Sequence, residues 1–148
     1  MDTERATRSL TVLKDGDREI AVLLRTYDGF PVGHGRDLFD ALGGKVVVDG
    51  YTDAAQINDA GDMAVQLVAF LKARLSARAK TPLASPGNLY LLPAGARGCE
   101  QEFTYTLTCR RDGIDVEVCG GAEFAGSLAE FGAWLDRQSA RAPEEAAP

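Results

Sequence analysis

The run EFTYTLTCRRDGIDVEVCG, residues 102–120, limits the possible folds more than any other stretch of this chain. Phe103, Tyr105, Leu107 and Cys109 alternate with Thr104, Thr106 and Thr108; Ile114, Val116 and Val118 alternate with Asp115 and Glu117. A period of two places alternate side chains on opposite faces of a strand. A two-residue turn at Asp112-Gly113 pairs Arg111 with Ile114, Cys109 with Val116 and Leu107 with Val118. The apolar residues then share one face and the threonines and acids the other. Such a hairpin belongs to an antiparallel sheet with one face in the core.

That dry face needs a covering layer, and three segments have the pattern for it. In residues 63–75, Ala64, Leu67, Val68, Leu71 and Leu75 recur as one helical stripe, widened by Met63 and Phe70. The start of this helix is marked by Asn58 or Asp59 as cap. GRDLFDALGG gives a short helix with Leu38, Phe39 and Leu42 inward and Gly43 as its stop. SLAE opens a last helix with capping-box spacing between Ser127 and Glu130, and with Leu128, Phe131, Trp134 and Leu135 along or beside its inner face.

Other strands are expected in LTVLKDGDREIAVLL, a hairpin turning at Asp15-Gly16, in KVVVDGY and in NLYLLP. The segment Ile20 to Tyr27 is apolar on both parities until Arg25, as in a strand covered on both sides. TPLASPG is a breaker-rich connection. The expected order is β-β-α-β-α-β-β-β-α, an α+β two-layer sandwich with a mainly antiparallel sheet and helices on one face. At 148 residues the chain fits one domain, residues 1–138, followed by a polar, Pro-ended tail, 139–148, expected to be disordered.

Composition excludes several classes of function. A net charge of −6 argues against general nucleic-acid binding, which needs a basic surface. The longest apolar stretch is broken by Gln66, Lys72 and Arg74, so no membrane span is expected. The charged start MDTERATRSL lacks the apolar core of a secretory signal, and the expected compartment is the cytoplasm. Cys99, Cys109 and Cys119 are expected to be reduced thiols: Cys109 and Cys119 face opposite sides of the hairpin and are out of register, whereas a disulfide needs Cα atoms within roughly 7 Å. Their spacing shows no close pair of the kind zinc sites use, and the acids at 49, 53, 59 and 62 do not follow a calcium loop, so no metal is expected. No cofactor motif is present. The basic residues Lys72, Arg74, Arg78 and Lys80 read as a solvated helix end favoured by the helix dipole.

The stretch most suggestive of a site is RTYDGFPVGHGRDL, residues 25–38, which holds the single histidine of the chain. Gly33 and Gly35 flank His34, and the helix that starts at Arg36 would present free N–H groups to an anion. The candidate ligand-binding residues are Arg25, Asp28, Gly33, His34, Gly35 and Arg36; the catalytic candidates are His34, as acid or base, and Asp28, as the group orienting it. With one glycine on each side, His34 is expected to be exposed. A structural alternative is that the glycines supply positive φ and that His34 or Asp28 caps the helix.

Tyr27, Asp28, Gly29, Phe30, Pro31, Gly33, His34 and Gly35 also carry a resemblance, supported by GDMAVQLVAFLK and LYLLPAGARGCEQEFTYTL further on. Over roughly residues 10 to 135 the chain resembles a family of small uncharacterised bacterial and phage-encoded proteins with a Tyr/Trp-Asp-Gly-Tyr-Pro-x-Gly-His-Gly loop. Phe30 stands where that pattern has Tyr, so a hydroxyl is absent there. The resemblance implies a shared α+β fold and a shared loop, and no reaction. The leading functional expectation is a non-enzymatic binding protein whose loop 28–36 takes a small anionic ligand or a protein partner. The alternatives are a small hydrolase or transferase using His34, and an accessory or counter-defence protein of a phage or mobile element.

Overall fold

The computed structural model describes residues 7–82 and 88–146, with side chains through residue 140. The charged start and most of the TPLASPG connection therefore lie outside the described residues. The strands are β1 (Ser9–Asp15), β2 (Arg18–Arg25), β3 (Val46–Val47), β4 (Gln56–Ile57), β5 (Leu89–Leu92), β6 (Phe103–Arg110), β7 (Gly113–Gly120) and β8 (Phe124–Ser127). The helices are α1 (Arg36–Leu42), α2 (Ala60–Ala79) and α3 (Leu128–Ala146), and a π-helical turn, Pro31–Gly35, runs directly into α1.

A six-stranded sheet has the order β5-β2-β1-β6-β7-β8, and β3 and β4 form a separate parallel pair. Within the large sheet β1 and β6 run parallel and the other neighbours antiparallel. Leu13, Leu23, Tyr105, Leu107, Val116 and Val118 face a core that also takes in Leu38 and Leu42 of α1, Leu67 and Leu71 of α2, and Phe131 and Leu135 of α3. The architecture is the expected α+β sandwich, with helices packed against a mostly antiparallel sheet. On the opposite face a smaller cluster, Leu10, Val12 and Val22, is covered by Leu92, Ala96 and Cys99, which is why β2 is apolar on both parities.

The hairpin β6–β7 keeps the expected faces in a register shifted by two. Cys109 pairs with Ile114 and Leu107 with Val116, so Arg111 and Asp112 form the turn. A shift of two preserves every inward and outward assignment. In the observed register Gly120, at φ +105, lies beside the Glu102 carbonyl, where a Cβ would collide. Cys119 falls opposite Thr104, and all three cysteines are free.

Further differences are local. β8 is not apparent in the sequence because FAGS has no alternation of apolar and polar residues. KVVVDGY yields only the two residues of β3. α3 continues to Ala146, into the segment whose composition suggested a disordered tail. The helix caps form as expected: Ser127 N–H donates to Glu130 and Glu130 N–H to Ser127 Oγ, while Asp59 Oδ1 accepts from Asp62 N–H. Asp59→Ala is expected to lower stability by about 1 kcal/mol in urea titration, the usual value of an N-cap side chain; an unchanged midpoint would mean that the cap contributes nothing to the fold.

Candidate functional site

Three side chains on the helix-facing side of β1 and β2 are polar: Ser9, Thr11 and Arg25, each at most 1% exposed. They lie at the end of the sheet where the chain leaves β2, turns at Tyr27–Phe30 and enters the π-helical turn. Gly29 fits against β1, where a Cβ would stand 2.8 Å from that of Ser9, and its carbonyl accepts the buried Tyr105 hydroxyl at 2.7 Å. At Gly33 a Cβ would come within 2.6 Å of the Asp28 carbonyl, and at Gly35 within 3.0 Å of Leu135. Gly33 is thus required by the backbone packed against it, while at Gly35 a Cβ would crowd the Leu135 side chain. The residue with a left-handed backbone is Asp28, at φ +60, a conformation Asp tolerates better than most residues.

This packing reverses the expected exposure of His34, whose accessible surface is 0%. Arg25 Nη1 lies 3.1 Å from His34 Nδ1, and Thr11 Oγ1 lies 2.6 Å from Nε2. A guanidinium can only donate, so Nδ1 must be the acceptor and Nε2 must carry the proton donated to Thr11. Burial, and then the charge of Arg25, lowers the His34 pKa to about 3, against the opposing pull of Asp37. His34 is therefore a neutral link between Thr11 and Arg25 at ordinary pH, with both ring nitrogens engaged. Asp28 does not orient the ring; its backbone carbonyl accepts the His34 N–H at 2.9 Å.

The free amides expected at the helix start are also occupied. Gly33 N–H donates to Phe30 O, and Arg36 N–H is shared by Pro31 O and Gly33 O. The Arg36 side chain pairs with Asp136 of α3 at 2.7 Å.

Arg25 is the centre of the arrangement. Nε donates to Tyr27 O at 2.7 Å, and Nη1 donates to Asp37 Oδ2 at 2.8 Å as well as to His34. Asp37, fully buried in the first turn of α1, also receives Arg74 at 3.1 Å and Arg78 at 2.8 and 3.0 Å. Burial alone would raise its pKa, but hydrogen bonds from Arg25, Arg78 and Arg74 outweigh burial and hold it below the usual carboxylate range. Arg74 also bonds Asp40 at 2.6 Å and lies over the Phe70 ring.

Arg25 Nη2 is different: it is buried and meets no acceptor among the described residues. Asp28 Oδ2 lies 4.0 Å from it. Arg25 and Asp28 form part of the wall of a cavity of about 350 Å³, together with Lys72 and Arg78 of α2. Ser76, Thr81 and Asn88 add neutral hydrogen-bonding groups to this wall, and Leu75, Ala79 and Leu89 an apolar side.

Of the six residues read as a binding loop, Arg25 and Asp28 reach the cavity, Gly33, His34 and Gly35 support it from behind, and Arg36 points to α3. The loop pattern gives no sign of Thr11, Asp37, Arg74 or Arg78. A signal for the arginines does exist: the buried positions of α2 are Ala60, Met63, Leu67 and Leu71, and the same helical stripe continues to Arg74 and Arg78. Among the described residues no cluster of His, Cys, Asp and Glu could hold a metal, and no helix is long and apolar enough to cross a membrane.

No protein-family model, curated protein or solved structure matches the chain. The likeness carried by residues 27–35, GDMAVQLVAFLK and LYLLPAGARGCEQEFTYTL therefore rests on the sequence alone.

Proposed function

We propose that this protein binds a small anionic ligand in the cavity between the C-terminal half of α2, the end of β2 and the start of β5. The observation that carries this reading is the buried Arg25 Nη2 at the cavity wall, which has no acceptor among the described residues. The Arg25–Asp37 ion pair needs only Nη1, and a buried donor left unpaired costs about 1–3 kcal/mol. A ligand anion would recover that loss. His34 has the supporting role of accepting from Nη1 and fixing the guanidinium plane, as outer partners do in other built sites.

Calorimetric titration of the full chain with inorganic phosphate and with small organic phosphates and carboxylates tests this. Saturable one-site binding is expected. Arg78→Ala, on the half-exposed side of the cluster, is expected to weaken it about tenfold, the equivalent of one charge-assisted hydrogen bond. Neither heat nor a melting shift with any of these anions at millimolar concentration would refute the reading.

A further inference from the structure

We propose that the cavity selects phosphate monoesters over sulfate esters, with Asp28 as the residue that distinguishes them. This rests on the anion-binding reading above and specifies its ligand. A planar carboxylate offers two oxygens, whereas the wall presents Arg25, Lys72 and Arg78 together with Ser76, Thr81 and Asn88. A tetrahedral head group with three terminal oxygens uses such a surround more fully. Leu75, Ala79 and Leu89 suit a compact apolar body, and the volume, near the lower limit for small-molecule sites, excludes a large one.

Asp28 places a carboxylate where an anion must sit. Its Oδ2 is 4.0 Å from Arg25 Nη2, so an oxygen accepting from Nη2 lies within reach of the Asp28 oxygens. The position of Asp28 is held by its carbonyl, which accepts from His34 N–H and packs against Gly33. Two unprotonated oxygens brought together there repel. A phosphate monoester, with a second pKa near 6, keeps one proton at little cost and donates P–O–H to Asp28 while its other oxygens accept from Arg25. A sulfate monoester has no proton to donate when the carboxylate is ionised, and so meets Asp28 as a like charge. The side chain of Asp28 is 63% exposed, so it is open to a ligand.

The test compares phenyl phosphate and phenyl sulfate by calorimetry near neutral pH, on the full chain and on Asp28→Asn and Asp28→Gly. Both variants suit the backbone: Asn and Gly accept positive φ, and unchanged melting confirms the fold. Wild-type protein should bind the phosphate at least about tenfold more tightly. Both variants should bind the sulfate more tightly than wild type and lose most of the preference. Equal affinities in wild type, or a preference that survives both substitutions, would overturn the role of Asp28 and leave the anion site standing. Binding of neither ester, nor of inorganic phosphate, would remove the site and the role of Asp28 with it.

Discussion

Asp37→Ala is expected to cost about 3–5 kcal/mol of folding stability, the penalty for leaving a buried charge without its partner. Arg25 is 1% exposed, and its hydrogen-bonded carboxylate is the buried Asp37, at 2.8 Å, whereas Asp28 is exposed and stands 4.0 Å away. Removing that carboxylate strands the guanidinium, and also releases Arg74 and Arg78 from their shared acceptor. Arg78→Ala gives the contrast: Arg78 is 51% exposed, and loss of such a pair is expected to cost less than about 1 kcal/mol. Urea unfolding of the two variants checks both values. A loss below about 1 kcal/mol for Asp37→Ala would show that Arg25 does not depend on Asp37.

Stability should also fall with acid over an unusually early range. Burial, then the Arg25 charge, depresses the His34 pKa from 6.5 to about 3 in the folded state. The unfolded chain therefore takes up a proton that the folded chain refuses. The stabilisation is complete above about pH 6.5 and is lost at roughly 1.4 kcal/mol per pH unit as pH falls towards 3. The depressed Asp37 has the same sign, but its contribution is lost only below the unfolded carboxylate range. His34 is the only histidine, so the slope between pH 6.5 and 5 belongs to it. His34→Gln, whatever its stability at neutral pH, should be nearly flat across that window. A wild-type curve equally flat there would mean that the imidazole is hydrated and charged in the folded protein.

The parts of this structure that could be read from sequence are those where one local pattern has one solution. The alternation of Phe103 to Cys109 gives strand faces, and the caps at Asp59 and Ser127 give helix starts. Pattern alone does not determine the register of β6 against β7, because a slip of two leaves every face unchanged. The parallel pairing of β1 with β6 joins residues almost a hundred positions apart, and no local signal announces it. Around the site, the glycines and His34 correctly mark an unusual stretch of chain, but their chemistry depends on what packs against them. Gly29 and Gly33 admit backbone and Gly35 admits Leu135, and the result is a buried, neutral imidazole. Arg74 and Arg78 resembled an ordinary basic helix end because their acceptor, Asp37, comes from a different helix.

The central claim is that Arg25 is held ready for an anion by His34 and Asp37, with Nη2 as the contacting atom. It is tested most directly by following the arginine side-chain signals in ¹H–¹⁵N spectra of the full chain as phenyl phosphate is added, with assignment of Arg25 confirmed by Arg25→Lys. The account predicts that the Arg25 Nη signals shift and saturate together with those of Arg78. Signals of Arg25 that stay unmoved while exposed arginines shift without saturation would contradict it.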